Sequence, residues 1–268
     1  MTAAATPGSL RAMRIGLSFL ALAVACGHSA PQHSAQPNAT AETEPAGQHG
    51  GHGGHGGHGG HGGHGEDDRE YRQHQMPHNF RGAKDWAKRF DNPERDGWQK
   101  PAEVIAAMKL APGMIVADIG AGTGYFEPHL SKAVGASGKV LALDIEKDMV
   151  RYLKERAKRE SLTNVEARVI APDSPGLADA SVARILAVNT WHHIRDRKAY
   201  AAKVSKALEP GGAIYIVDFF PRSKKGPPKK HKLAASVVAA DLQSAGLEVQ
   251  LLLEVLPEQY IAVGRRQR

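Results

Sequence analysis

The fold of this chain is decided by the stretch Val116-Ala-Asp-Ile-Gly-Ala-Gly-Thr-Gly-Tyr-Phe126. Its apolar start predicts a short buried strand, which Asp118 interrupts with a charge. Three glycines follow, and they allow a sharp turn and let a ligand lie against bare main chain. From Tyr125 onward the apolar residues have helical spacing. A strand, a glycine turn and a helix in this order are typical of a nucleotide-type binding site.

The spacing of the glycines narrows the class of ligand. A dinucleotide fingerprint has its third glycine one position later, where Tyr125 stands. The sequence Gly120-Ala-Gly-Thr-Gly124 preceded by Asp118 resembles motif I of the class I S-adenosylmethionine (SAM)-dependent methyltransferases. The resemblance implies that Asp118 faces the ammonium of the methionine moiety and that the helix start favours its carboxylate. A tight turn without a ligand is the alternative. The SAM-binding residues implied in this stretch are Asp118, Gly120, Ala121, Gly122, Gly124 and Tyr125.

Two further acids follow predicted strands. Residues 139–146 predict a second strand that contains Asp144, and the resemblance assigns to this acid the two ribose hydroxyls of SAM, with Ile145 beside it. Asp173 follows the third predicted strand, 165–170. Its position matches an acid that the family often places near the adenine amino group, and a plain turn aspartate is the alternative.

The fourth predicted strand, 181–188, ends in a polar segment that starts at Asn189. This segment resembles the part of small-molecule methyltransferases that lines the sulfonium and the acceptor, so Asn189 is implied near the reacting methyl group. His192 or His193 is a candidate to take a proton from the acceptor, because imidazole titrates near neutral pH. The alternative is a histidine pair that only caps and packs a helix start.

The order of elements predicts the fold class. Strand and helix alternate from residue 101 to 218, and the chain ends in a helix, 233–245, and two strands, 247–255 and 259–263. The short link between the last two strands suits an antiparallel pair. The pattern resembles the methyltransferase sheet, which implies an α/β, Rossmann-like, doubly wound seven-stranded sheet with the last strand antiparallel and helices on both faces.

The chain divides into three parts. Residues 1–26 resemble a bacterial lipoprotein signal, since two arginines and a short apolar run precede Leu22-Ala-Val-Ala-Cys26. The resemblance implies lipid attachment to Cys26 and a lipid-anchored protein of the cell envelope. The alternative is a cytoplasmic protein. Residues 27–80 predict a disordered linker, and residues 81–268 the class I methyltransferase domain.

Histidines recur every third residue in the linker, separated by Gly-Gly. Imidazoles on a flexible chain bind Zn, Ni or Cu, although such a tract cannot hold an open coordination position for catalysis. A solvated spacer is the alternative. The predicted metal ligands are His49, His52, His55, His58, His61 and His64.

The distribution of charge argues against a nucleic-acid partner. The net charge of +7 is spread along the chain and does not coincide with aromatic residues, so we expect no nucleic-acid partner. Two segments have two interpretations each. Residues 90–101 either pack aromatic side chains on the domain or form part of a cap over the acceptor. The basic cluster at 224–232 is either a solvated loop or a lid at the substrate mouth.

The sequence therefore predicts a SAM-dependent methyltransferase that acts on a small-molecule acceptor. Three alternatives remain open at this point: a nicotinamide-dependent oxidoreductase, an exported lipoprotein whose domain binds a ligand without chemistry, and a metal-capture protein that uses the histidine tract.

Overall fold

The structure is a computed structural model that describes residues 82–268. The predicted signal with Cys26 and the histidine tract lie outside these residues. The strands are β1 (Ile115–Ile119), β2 (Lys139–Asp144), β3 (Val165–Val169), β4 (Val182–Val188), β5 (Leu208–Phe219), β6 (Glu248–Leu252) and β7 (Gln259–Arg265). The helices are α1 (Ala83–Phe90), α2 (Asp96–Gln99), α3 (Pro101–Met108), α4 (Glu127–Val134), α5 (Lys147–Arg159), α6 (Arg197–Ala207) and α7 (Ala235–Ser244). Short 3-10 turns cover Pro93–Arg95, Trp191–His193 and Lys229–His231.

The strands form one seven-stranded sheet in the order β3-β2-β1-β4-β5-β7-β6. The pairings from β3 to β5 are parallel, and β7 runs antiparallel to both β5 and β6. The predicted fold class is therefore confirmed. Because β1 pairs with β2 on one side and β4 on the other, the strand order reverses beside β1. A doubly wound sheet opens a ligand crevice at the carboxyl ends of the strands at this point.

The core lies on both faces of the sheet. Successive strand residues face opposite sides, so Ala117 and Ile119 pack with α6 and α7, whereas Val116 packs with α3 and α4. Helix α5 adds Leu153 against β2 and β3. Since the central strands are covered on both faces, their sequences are continuous apolar runs without polar alternation. Asp118 is therefore a charged exception in a strand that is otherwise apolar.

The largest difference from the predicted elements is at the start of β5. The sequence predicts a helix over residues 195–208, a turn at Pro210-Gly-Gly and a strand over residues 213–218, but β5 already begins at Leu208. The strand pairing shifts between Val182 and Arg184, and the turn is absorbed into this irregularity. Glycine suits the position, since a Cβ on Gly212 would lie 2.8 Å from the Glu209 carbonyl oxygen. Among the helices between residues 82 and 268, none has the length and apolar character needed to cross a bilayer.

Candidate active site

A cavity of about 530 Å³ lies at the carboxyl ends of β1, β2 and β4. This volume is in the range of small-molecule sites. Most of the lining comes from three parts of the chain: the strand ends with the glycine turn, the N-terminal segment before α3, and the loop after β5. The lining residues from the strand ends and the glycine turn include Asp118, Gly120, Ala121, Gly122, Tyr125, Asp144, Ile145, Asn189, His192 and His193.

The glycine turn follows β1 and forms one wall of the cavity. Gly120 has φ +74°, and a Cβ there would lie 2.3 Å from Thr190 Oγ1, so no other residue fits this position. Gly122 also has a positive φ, +59°. Gly124, with φ +90°, faces away from the lining, because a Cβ there would meet Leu153 of α5 at 2.8 Å. Gly120 and Gly122 therefore line the cavity, whereas Gly124 allows α5 to pack close to the turn.

Asp118 is the most buried acid of the cavity, with 3% of its surface exposed. Burial raises the pKa of its carboxyl, the charge of Arg95 lowers it and the charge of Asp144 raises it, and together these effects raise the pKa to about 7. A buried carboxylate is costly unless a cation or hydrogen-bond donor compensates it. This environment therefore favours a ligand that brings a positive charge to Asp118.

Asp144 ends β2 and is 7% exposed. Its two oxygens accept hydrogen bonds from the backbone N–H groups of Gly122 and Glu146, each at 2.9 Å. Burial raises the pKa of Asp144, and these hydrogen bonds lower it. Each carboxylate oxygen has a second lone pair, so Asp144 can still accept from ligand hydroxyls. The bond to Gly122 also ties the end of β2 to the glycine turn.

Asn189 follows β4 in a left-handed conformation, with φ +55°. Its Oδ1 accepts a hydrogen bond from Gln259 Nε2 at 2.6 Å, and Gln259 Oε1 accepts one from Gln99 Nε2 at 2.7 Å. The side-chain carbonyl of Asn189 is therefore in use. The second lone pair of this oxygen, the amide nitrogen and the main-chain carbonyl remain for a ligand.

The structure distinguishes the two histidines. His192 Nδ1 lies 2.8 Å from Asp218 Oδ2, and Asp218 is fully buried at the end of β5. The second oxygen of Asp218 accepts from the Phe219 N–H at 2.8 Å. Trp191 anchors the turn, since its indole N–H donates to Asp241 Oδ2 at 3.2 Å. His193 also lines the cavity, but it is exposed, and its ring packs 4.2 Å from the His192 ring.

Asp173 is not where the resemblance to the family would place it. Its side chain is 82% exposed and forms an ion pair at 3.3 Å with Lys203 of α6. The turn that begins at Ala171 directs the carboxylate toward α6. Ile170 and Pro172 line the cavity at this position. The structure therefore supports the alternative of a turn aspartate.

The N-terminal segment and the loop after β5 meet at the cavity, and we call them together the cap. The cap consists of Trp86, Phe90, Arg95 and Trp98 with Phe219 and residues 226–228. The rings of Trp98 and Phe219 are 5.5 Å apart, and the Lys225 Nζ lies 5.7 Å from the Trp98 ring centre. The sequence allowed two interpretations of each segment, and in the structure both segments lie beside the cavity. The sequence feature that could have indicated this position is the presence of aromatic residues in an N-terminal segment rich in turn formers.

Asp91 attaches the N-terminal segment to the glycine turn. Its Oδ1 accepts a hydrogen bond from Thr123 Oγ1 at 2.9 Å and forms an ion pair with Arg156 Nη1 at 3.0 Å. Arg156 Nη1 also donates to the Thr123 carbonyl at 3.0 Å. These contacts hold the cap against motif I. No group of three or more histidine, cysteine or acidic residues suited to a metal occurs in the described part of the chain.

Comparisons with known proteins agree with this geometry. Residues 116–212 match the sequence model of the family described as "Methyltransferase domain". A ubiquinone/menaquinone biosynthesis C-methyltransferase of Hydrogenovibrio crunogenus is 24% identical over 123 residues, which cover 46% of this chain and 48% of that protein. Phosphoethanolamine N-methyltransferase 1 of Arabidopsis thaliana is 30% identical over 131 residues, which cover 49% of this chain and 26% of that protein.

Among solved structures, a SAM-dependent methyltransferase from Aquifex aeolicus superposes with a TM-score of 0.64 at 29% identity, over 68% of this chain and 97% of that one. In its fold, in the arrangement of its site and in these matches, the chain is similar to the SAM-dependent methyltransferases of class I, in agreement with the predicted family. The nicotinamide-dependent oxidoreductase finds no support in them. The chain spans about half, or less, of the length of the curated relatives given above.

Proposed function

We propose that this protein is an enzyme that transfers the methyl group of SAM to a small-molecule acceptor. The observation that carries the proposal is the convergence of two buried acids, Asp118 and Asp144, on one cavity beside a glycine turn. The glycine turn fits SAM because Gly120 keeps bare main chain where a Cβ would collide with Thr190. The buried charge of Asp118 suits the ammonium of SAM, and Asp144 suits its ribose.

The orientation of SAM follows from these two acids. Asp118 binds the amino-acid end and Asp144 the ribose hydroxyls, so the adenine lies in the apolar part of the cavity lined by Ile145, Ile170 and Pro172. Asn189 lies at the end of β4, on the other side of β1 from β2. The reacting methyl group is then directed toward Asn189 and the cap.

When bound, SAM supplies a methyl group that is already activated by its sulfonium. The residues of the chain therefore act mainly by alignment, which corresponds to effective molarities of about 10⁵ M or more in well-oriented reactions. For an acceptor that must lose a proton, His192 is the proton acceptor. Asp218 holds the Nδ1 side of the ring at 2.8 Å, so Nε2 is the nitrogen that remains for the acceptor. His193 is exposed, whereas the ring of His192 is held by a buried acid, so we assign the proton transfer to His192.

The cap indicates the chemistry of the acceptor. Trp98, Phe219 and Pro227 give it an apolar surface, and the neighbouring Lys225, whose Nζ lies 5.7 Å from the Trp98 ring centre, is positive. An apolar or aromatic acceptor that is neutral or anionic fits this surface. A cationic amine would meet a like charge there.

For the remainder of the chain we propose the arrangement that its sequence implies. Lipid attachment at Cys26 would anchor the protein to the cell envelope, and the histidine tract would bind Zn, Ni or Cu without a catalytic role. Fractionation of cells tests the first point, because recovery in the cytoplasmic fraction would favour the cytoplasmic alternative. Deletion of residues 47–65 tests the second, and we expect it to remove metal uptake and to leave methyl transfer unchanged.

The proposed activity is tested by incubating the full-length protein with methyl-labelled SAM and a panel of phenols, thiols, amines and carboxylic acids. We expect label in an apolar phenol or thiol and none in the amines. Binding of SAM without transfer to any class would favour a ligand-binding protein without chemistry.

A further inference from the structure

Arg95 lines the cavity, and no sequence motif indicates this position. It ends the 3-10 turn Pro93–Arg95, and its guanidinium stacks 3.9 Å from the centre of the Tyr125 ring. Nη1 donates to the Phe90 carbonyl at 2.8 Å, and Nε and Nη2 donate to Gln99 Oε1 at 3.4 and 3.2 Å. A guanidinium has five N–H groups, so two remain without an acceptor within residues 82–268. The side chain is thus held in place with part of its donor capacity unused.

Arg95 and Asp118 share the cavity without touching. Burial has the largest influence on the pKa of both residues: it lowers that of Arg95 and raises that of Asp118. Arg95 lowers the pKa of Asp118, and Tyr125, Asp91, Asp118 and Asp96 raise that of Arg95. No ion pair joins them in the described part of the chain. Burial of charge is costly unless opposite charges meet it closely. A ligand that carries one negative and one positive group would satisfy both residues at once.

The start of α4, which the sequence analysis assigned to the ligand carboxylate, is a poorer site for an anion. Glu127 is its first residue and is 1% exposed, with both carboxylate oxygens lacking a hydrogen-bond partner in the described residues. The second residue, Pro128, has no N–H to donate. The helix end therefore already holds a carboxyl group and lacks one of its donors. Another donor is needed for a ligand carboxylate.

We propose that Arg95 binds the carboxylate of the methionine moiety of SAM while Asp118 binds its ammonium. The two residues together then recognise an α-amino acid group, and this inference rests on the proposed SAM site. Arg95 belongs to the cap and Asp118 to the sheet, so the amino-acid end of SAM links the two. The hydrogen bonds from Arg95 through Gln99 and Gln259 to Asn189 extend this link to the end of β4.

The test compares ligands that differ at one group. Calorimetry at pH 8 measures the affinity of the full-length protein for SAM, for decarboxylated SAM, which lacks only the carboxylate, and for 5′-methylthioadenosine, which lacks the amino-acid end. We expect wild-type protein to prefer SAM over decarboxylated SAM by about 10- to 100-fold, typical of a charge-assisted pair. Arg95→Met should lose this preference, and its affinity for methylthioadenosine should change by less than about threefold.

Two further variants complete the test. Arg95→Lys keeps the charge without the fork and should retain part of the preference. Arg151→Met removes an exposed arginine that pairs with Asp148, and it should behave as wild type with all three ligands. If Arg95→Met does not fold, as judged by its thermal unfolding, the wild-type comparison and Arg95→Lys decide the matter.

Three results would overturn the inference. Equal wild-type affinity for SAM and decarboxylated SAM would show that no residue recognises the carboxylate. A loss of methylthioadenosine affinity in Arg95→Met as large as the loss for SAM would show that Arg95 only shapes the cavity. Absence of SAM binding by wild-type protein would overturn the proposed function as well, so the two failures are distinguishable.

Discussion

The two sides of the cavity are built differently. On the sheet side, strand ends position Asp118 and Asp144, and backbone hydrogen bonds from Gly122 and Glu146 fix the second of these acids. On the cap side, side chains on short turns contact one another across two separate segments, and Asp91 is a main attachment to motif I. The sheet side is thus suited to a ligand that never varies, such as SAM. The cap, apart from Arg95, is suited to define the acceptor.

The largest expected effect is on the sheet side, from Gly120→Ala. The new Cβ would lie 2.3 Å from Thr190 Oγ1 in a residue with φ +74°, so we expect a loss of about 2–4 kcal/mol in the free energy of unfolding and no measurable SAM binding. Gly246→Ala is the matched control. Gly246 has φ +75° with nothing within 4 Å, and only about 1 kcal/mol of backbone strain is expected there. Urea unfolding of both variants measures the difference.

The next largest effect is expected where the two sides meet, from His192→Gln. Removal of a general base typically slows a reaction by about 10²- to 10⁴-fold, so kcat should fall by this factor and the Kd for SAM should stay constant. Asp218→Asn should give a smaller loss of the same kind, because it changes the orientation and tautomer of His192. An equal or greater loss in His193→Gln would contradict the assignment. The measurement uses the acceptor found in the labelled-SAM screen.

Asp144→Asn tests the second acid of the sheet side. The variant loses a charged acceptor for the ribose hydroxyls, and we expect the Kd for SAM to rise by about 10- to 100-fold. Asp173→Asn is the control, since this carboxylate is solvent-exposed and pairs with Lys203. Its Kd should equal that of wild type. If Asp173→Asn weakened SAM binding as much as Asp144→Asn, the placement of the adenine would be wrong.

The pKa of Asp118 predicts a pH dependence of SAM binding. The free carboxyl has a pKa raised to about 7, and only its ionised form pairs with an ammonium. Affinity should therefore be full above pH 7 and fall about tenfold for each pH unit below it. Above pH 8 it should decline again as the α-amino group of SAM loses its proton. Asp118→Asn should bind weakly and lack the acidic limb, which calorimetry between pH 5.5 and 9 would reveal.

The smallest effect on SAM is expected from the aromatic side chains of the cap. Trp98→Ala removes a ring that packs 5.5 Å from Phe219, so it should raise the KM of the acceptor by about tenfold and change the Kd for SAM by less than about threefold. Steady-state kinetics at saturating SAM and calorimetry separate the two quantities. A large loss of SAM affinity with an unchanged acceptor KM would reverse the proposed division between the two sides.

The sheet side could be predicted from the sequence because its determinants are local. The spacing of the glycines and the apolar runs ending in Asp118 and Asp144 predict the strands and the turn. The carboxyl ends of neighbouring parallel strands then meet without further information. Asp218 carried the same signal, an acid at the end of a buried strand. Its partner His192 follows a different strand, and sequence spacing alone does not pair them.

The cap could not be predicted because it depends on contacts between distant segments. Arg95 and Trp98 lie in a segment without a regular apolar period, and the bond of Asp91 to Thr123 spans 32 residues. Asp173 illustrates a different limit. Its position in the sequence matched the family, but the direction of its carboxylate was decided by a turn and by Lys203 on another helix.

The central claim is that the buried acids of the sheet side form one SAM site. Calorimetric titration of wild-type protein, Asp118→Asn and Asp144→Asn with SAM at pH 8 tests it most directly. We expect one SAM per chain with a wild-type Kd of about 1–100 μM and at least about tenfold weaker binding in each variant. Absence of binding by the wild-type protein, or unchanged affinity in both variants, would contradict it.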